Sequence, residues 1–247
     1  MKGRIALITG GIGDIGTAIC REFSNQGAKK VIAVDYAAQD KVDQWLKEQK
    51  AAGYDFGFAH VNVAQFDDCA QMAKEVEQKY GSIDILVNAA GTLHDSTFRK
   101  MTPEQWSSIV HTDLDSMFNV TRQFINGMIE RHYGRIINIA SVSGEKGQFG
   151  QTNYASAKSG IYGFSKSLAL EVARHGITVN AISPGFVESH MVMTIPEEIR
   201  QKIIEQVPTG RLAKPEEIAW AISFLASEKS AFITGANLSV NGGLHMC

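Results

Sequence analysis

Tyr154 and Lys158 lie four residues apart in "NYASAKSG", so on a helix they share one face, one turn apart. Ser141 follows the β-branched run "RIINIA" that begins at Arg135. An isolated phenol keeps its proton at neutral pH and is a poor acid–base group. A neighbouring ammonium favours the phenolate and would let Tyr154 exchange a proton with a carbonyl or alcohol oxygen. Ser141 would donate a hydrogen bond to that oxygen and stabilise its developing charge. A Tyr-x-x-x-Lys spacing recurs by chance on many helices, so its meaning depends on the elements around it.

One such element is "TGGIGDIG", Thr9 to Gly16, which directly follows "RIALIT" and opens an amphipathic helix. A glycine-rich turn in that context presents backbone N–H groups and a helix N-terminus to a dinucleotide pyrophosphate. Two registers fit. Gly11, Gly13 and Gly16 satisfy GxGxxG, whereas Thr9-Gly10 with Gly16 satisfies TGxxxGxG, with Asp14 in place of its middle glycine. Ile15 sits between Asp14 and Gly16 and shares the loop. A carboxylate is unexpected beside phosphates, but Asp14 stands immediately before "IGTAICREF", where an acidic side chain turned back onto its own helix terminus would act as cap. The alternative is repulsion and weaker cofactor binding.

Asp35 ends "KVIAVD", 19 residues after Gly16, where an acidic side chain meets the adenosine ribose. It would accept hydrogen bonds from both ribose hydroxyls and repel a 2′-phosphate. NAD(H) is therefore expected, with NADP(H) the second choice; the following "YAAQDK" offers only Lys41 as a cation. With a nicotinamide as hydride partner, Lys158 would also hold the nicotinamide ribose, and the oxidised ring would add to the ammonium in favouring the phenolate.

These residues need a scaffold. Strand-like runs are "RIALIT", "KVIAVD", "FGFAHV", "IDILVN", "RIINIA", "ITVNAIS" and "ANLSVN", several of them apolar throughout as in strands buried on both faces. Helical periodicity falls at Ile15–Gln26, Asp40–Ala52, Asp67–Tyr80, Pro103–Val110, Leu114–Arg131, Tyr154–Arg174 and Pro215–Ser227. "TPEQW" predicts a capping box from Thr102 and Gln105 with Pro103 at the first helical position. The alternation predicts an α/β fold: one Rossmann-like, doubly wound parallel sheet of about seven strands flanked by helices, in a single dinucleotide-binding catalytic domain over residues 1–247. "SPGFVESHMVMTIPEE", Ser183 to Glu198, lacks clear periodicity and follows the sixth strand, which predicts a substrate lid near residues 184–205.

The bulk numbers narrow the partners. The 247 residues carry a formal net charge of -2 and a pI of about 6.4, which gives no reason to expect nucleic acid or an anionic membrane. Apolar runs are too short for a membrane span, and "MKGRIALITG" runs straight into a strand pattern, so a cytoplasmic location is expected. Cys20, Cys69 and Cys247 are scattered and read as reduced thiols, and the seven histidines form no HxxxH pair. No protein metal site is expected.

Across essentially the whole chain, these motifs resemble the classical short-chain dehydrogenases/reductases. The likeness rests on "TGGIGDIG", "NAAG" at Asn88–Gly91, Ser141, "YASAK", "SPG" at Ser183–Gly185, "GRLAKPEEIA" at Gly210–Ala219 and "ITGANLSVNGG". It implies that Asn88, Ala89 and Gly91 support the sheet and the adenosine side, with Asn62 and Val63 beside the adenine. Asn62 stands where the family usually has Asp. Pro184 and Gly185 would border the cofactor, while Val187 and Ser189 would contact the nicotinamide carboxamide, Ser189 replacing the more usual Thr. Asp113, in "HTDLDSMFNVT", stands where the family has its fourth catalytic residue, an Asn that holds a relay water partly through its backbone carbonyl. The resemblance also implies a homotetramer with contacts through the Tyr154-bearing helix and the Pro215–Ser227 helix.

Within that family, "FRKMT", "GEKGQFGQTNY" and "GGLHM" resemble acetoacetyl-CoA reductases of polyhydroxybutyrate synthesis. Gln148, Phe149, Gln151 and Phe186 would then line the acyl pocket, Phe186 replacing a Tyr. Those reductases are mostly NADPH-linked, against the reading of Asp35. The second reading is a 3-oxoacyl-acyl-carrier-protein reductase, in which Arg131 and Arg174 would dock the acidic carrier or simply be solvated helix-end cations. A non-catalytic cofactor sensor is the remaining alternative, supported only by Asp14 and Asp113.

Overall fold

A computed structural model describes residues 1–193 and 195–246; Thr194, within the expected lid, and Cys247 lie outside the described residues. Seven parallel strands form one sheet: β1 Ile5–Thr9, β2 Lys30–Asp35, β3 Gly57–His60, β4 Ile85–Asn88, β5 Gly134–Ile139, β6 Ile177–Pro184 and β7 Asn237–Val240. Their spatial order is β3-β2-β1-β4-β5-β6-β7. The order reverses between β1 and β4, which opens a ligand crevice beyond the carboxyl ends of those strands.

Period-two alternation decides which helices cover which face. Ala6 and Ile8 of β1 point into one core with Ile137, Ile182, Ile19, Phe23, Ile218 and Ile222. Ile5 and Leu7 point the other way, against Met72, Val76, Phe124, Met128 and Val172. Helices α1 (Asp14–Asn25), α2 (Gln39–Ala51) and α10 (Pro215–Ala226) therefore lie on the first face, and α3 (Phe66–Tyr80), α5 (Ser116–Glu130) and α7 (Thr152–Val172) on the second.

The predicted capping box is present: Thr102 Oγ1 accepts from Gln105 N–H, and Gln105 Oε1 accepts from Thr102 N–H, at the start of α4 (Pro103–Val110). From α4 the chain does not break as the periodicity predicts. It continues through a π-helical turn, His111–Asp115, directly into α5. The expected lid contains two helices, α8 (His190–Met193) and α9 (Glu197–Gln206). No residue of α9 is buried, although Ile199, Ile203 and Val207 recur at helical spacing through and just past it.

Candidate active site

The phosphate loop is built on Gly10 and Gly16. Gly10 has φ +64, and a Cβ there would lie 2.9 Å from the Ala89 carbonyl oxygen. A Cβ on Gly16 would lie 2.1 Å from the Gly10 oxygen, whereas one on Gly13 meets nothing closer than 3.4 Å. A Cβ on Gly11 would lie 2.7 Å from Ala33 Cβ, so the structure keeps tight glycines from both registers, and Gly13 is the one least constrained of the four. Thr9 Oγ1 accepts from the N–H groups of both Ala89 and Ala90, at 3.0 Å each, and ties this loop to the end of β4. The first turn of α1 has Gly13 as N-cap and no side-chain cap, which leaves backbone N–H groups for an anion. This cradle fits a dinucleotide pyrophosphate.

The expected cap by Asp14 is corrected. As the first helical residue, Asp14 does not bond its own helix terminus; its Oδ2 accepts the His190 N–H at 2.7 Å. The carboxylate has a partner because the fold brings the start of α8 over the phosphate loop. Replacing Asp14 with Gly should release this strap and make trypsin cleavage at Arg200 and Lys202 about five-fold faster, the factor expected for losing one net hydrogen bond. Unchanged cleavage would show that the contact does not hold the lid.

Asp35 ends β2 at the same edge. Its Oδ1 accepts from Tyr36 N–H at 2.8 Å, and Oδ2 is left for an outside donor. Asn62 Oδ1 accepts from Ala64 N–H, and the carbonyl of Val63 accepts from Asn119 Nδ2. Asn88 is buried and donates to Thr121 Oγ1 and Asn138 Oδ1, a sheet-supporting contact between β4, β5 and α5. Pro184 ends β6, and Gly185 sits so tightly that a Cβ would lie 2.9 Å from Asn241 Cα. Val187 is buried and bridges to Ala213, and Ser189 Oγ accepts from Val192 N–H to open α8.

Ser141 follows β5 and caps the short helix α6 (Val142–Lys146), its Oγ accepting from Ser143 N–H at 3.1 Å. Its own O–H proton is still free to donate. Tyr154 and Lys158 lie in α7, with Nζ 5.4 Å from the Tyr154 ring centroid. Lys158 is 3% exposed and donates to the Ile139 carbonyl at 3.0 Å. Asp113 is 0% exposed and puts Oδ2 3.1 Å from Lys158 Nζ. Burial pushes the ammonium toward losing its proton, but Asp113 outweighs it with help from Tyr154, so Lys158 holds its charge above the usual lysine range.

Several positioning residues escaped the sequence reading. Tyr162, two turns beyond Tyr154, donates to the Ser141 carbonyl at 2.8 Å and meets Ser183 Oγ at 3.0 Å. Asn153 is fully buried, and its amide donates to the carbonyls of His94 and Gln105, which fixes the residue before Tyr154. Gly144 lets α6 approach α7, since a Cβ there would lie 2.9 Å from the Lys158 carbonyl carbon. Glu145 Oε1 accepts from Asn237 Nδ2 at 2.6 Å and from Ser239 Oγ, which joins α6 to β7. Nothing local in the sequence marks Asn153, because its burial and its partners come from the segments of His94 and Gln105 packed against it.

The residues expected to line an acyl pocket are placed less uniformly. Gln148 and Phe149 lie on the exposed loop between α6 and α7, with Phe149 88% exposed. Gln151 precedes α7 and donates to Asp95 Oδ2, while the Phe186 carbonyl accepts from Ala213 N–H. Cys20 and Cys69 are buried free thiols, and burial holds the Cys69 proton up to about 12. Among the described residues there is no His/Cys/Asp/Glu group suited to a metal, and no helix long and apolar enough to cross a membrane.

A seven-stranded parallel sheet with a glycine cradle at its switch point and a Ser–Tyr–Lys cluster beside it defines a nicotinamide-linked oxidoreductase. The chain belongs to the short-chain dehydrogenase/reductase family: the family model described as enoyl-(acyl carrier protein) reductase matches residues 11–245. It is 48% identical to the acetoacetyl-CoA reductase of Allochromatium vinosum over 98% of this chain and 99% of that one. Identity to the acetoacetyl-CoA reductase of Cupriavidus necator is also 48%, over the full length of both. The 3-oxoacyl-acyl-carrier-protein reductase of Vibrio cholerae is 41% identical over 100% of this chain and 99% of that one. The crystal structure of gox2181 superposes with a TM-score of 0.93 at 29% identity, covering 99% of this chain and 96% of that one.

Proposed function

We propose that this protein is an NADH-linked reductase of short 3-oxoacyl thioesters that converts acetoacetyl-CoA to its (R)-3-hydroxyacyl product. The observation that carries the reaction is the buried Lys158 ammonium beside Tyr154, on α7, at the crevice where the first turn of α1 is open. Full-length identity to acetoacetyl-CoA reductases supports the substrate class. The bound nicotinamide supplies the hydride. Tyr154 gives its phenolic proton to the substrate carbonyl oxygen as that oxygen gains charge. Ser141 donates a hydrogen bond to the same oxygen. Lys158 keeps a positive charge beside the phenol and holds the nicotinamide ribose. Gln148, Phe149, Gln151 and Phe186 border the acyl group.

Cofactor choice rests on Asp35. With Oδ1 taken by Tyr36 N–H, Oδ2 accepts from a ribose hydroxyl and repels a 2′-phosphate. Initial rates with acetoacetyl-CoA at matched NADH and NADPH test both parts. The expected result is kcat/KM at least about ten-fold higher with NADH, as one unpaired charge contact implies. NADPH preference would overturn the reading of Asp35, and no turnover with either cofactor would overturn the thioester substrate.

The similarity to carrier-protein reductases supports a second reading, for which an acyl-carrier-protein thioester in the same assay is the discriminating substrate. Arg131, already donating to the Ile83 carbonyl, and Arg174, beyond the end of α7, are both exposed and available to an acidic carrier. Self-association through α7 and α10, as in a homotetramer, draws support from exposed Leu170, Trp220 and Phe224 on those helices.

A further inference from the structure

We propose that Asp113 is a positioning residue whose carboxylate holds the Lys158 ammonium in place and charge-balanced beside Tyr154, a task a neutral amide there could not perform. The inference rests on the reductase reading of the site and adds a side-chain function to a residue otherwise placed there for its backbone carbonyl. Three features of the fold converge on it. The π-helical turn His111–Asp115 carries Asp113 inward, where it is fully buried. Thr92 N–H donates to Oδ1 at 2.9 Å and fixes the carboxylate plane. Oδ2 then faces Nζ at 3.1 Å without an aligned hydrogen bond, an ion pair by charge and distance.

Gly91 completes the arrangement. A Cβ there would lie 2.7 Å from Asp113 Oδ2 and 3.4 Å from Lys158 Nζ, so a side chain at this position would push the carboxylate out of its place against the ammonium. The titratable groups acting on Lys158 are Asp113 from the π-helical turn and Tyr154 and Tyr162 from α7 itself; Glu145 of α6 acts on Tyr162. From β5 the Ile139 carbonyl accepts from Nζ. Asp113 is the one carboxylate in contact with the ammonium among the described residues.

The sign of the effect follows. Burial favours loss of the Lys158 proton and the Asp113 charge opposes it. In Asp113→Asn the opposing charge is gone, so the ammonium is lost at lower pH. The alkaline limb of the carbonyl-reduction profile should move down by about three pH units or more, the size of one charge 3.1 Å away at an effective dielectric near 20. The alkaline midpoint of NADH binding, followed by cofactor fluorescence, should move down with it. A residue that merely filled space would change rates at every pH and leave both midpoints in place.

The experiment measures both midpoints in the full chain for wild type, Asp113→Asn and Asp113→Ser, with thermal melts confirming folding. Should the amide variant not fold, the Ser variant, also neutral, is judged by the same midpoints. Two midpoints shifted downward support the proposal, and unshifted midpoints in a folded neutral variant overturn it. Wild type without turnover would overturn the reductase reading instead, and the NADH-binding midpoint would still decide for or against the Asp113–Lys158 pair.

Discussion

Tyr154→Phe is expected to lower turnover of acetoacetyl-CoA by about 10²–10⁴-fold, the range lost when a positioned general acid is removed. The change deletes one oxygen and leaves the ring on α7, so packing is kept. Lys158 retains its hydrogen bond to Ile139 and its ion pair with Asp113, because neither involves the phenol oxygen. NADH affinity should therefore stay within about two-fold while kcat collapses, the pattern for an interaction realised only in the transition state. Stopped-flow binding alongside steady-state rates checks both halves. Near-normal turnover would show that another group supplies the proton, and it would remove Tyr154 from the mechanism.

Lys158→Met should be the most destabilising single change at the site. It removes the charge that Asp113 faces at 3.1 Å and strands a fully buried carboxylate. Breaking a buried pair in this way costs about 3–5 kcal/mol, or a fall in Tm on the order of 10 °C for a chain of this size. The loss should depend on pH. Burial already holds the Asp113 carboxyl above its ordinary value, with Lys158 the main influence pulling it down. Without Lys158 the carboxyl rises further, and a folded-state value above the unfolded one means stability is recovered as pH falls and lost as pH rises. The Tm deficit should therefore be largest near pH 8 and shrink toward pH 5, above the ordinary carboxylate range. A deficit independent of pH, measured by calorimetry, would mean that Asp113 does not carry the penalty. Activity is lost with the ammonium, but the pH-dependent Tm isolates the pair from the chemistry.

Much of this molecule is written in local patterns. Continuous apolar runs such as "RIALIT" specify strands buried on both faces, because alternate side chains must each find a helix layer. The alternation of strand and helix then leaves a parallel sheet, and the Tyr154–Lys158 spacing puts both residues on one face of α7. The strand-to-helix glycine turn is equally local, since its strain and its open N–H groups belong to adjacent residues. Family membership and the oxidoreductase class follow from the same motifs, and the relatives agree with them.

Other features depend on residues far apart in the chain. That Gly10 and Gly11 are tight while Gly13 is not is decided by the Ala89 carbonyl just past β4 and by Ala33 on β2, which no spacing within the loop can report. Asp14 reads as a helix cap until the fold brings His190 to it across the phosphate loop. Helix α9 has an apolar spacing in Ile199, Ile203 and Val207, yet the fold leaves every residue of the helix itself short of full burial. The buried charge on Lys158 is a further case. Its spacing from Tyr154 is visible in the sequence, but its ion pair needs Asp113 turned inward by a π-helical turn, against a backbone where Gly91 leaves no side chain in the way. Periodicity determines which face a residue takes, whereas close approach between distant backbones decides which of those residues meet.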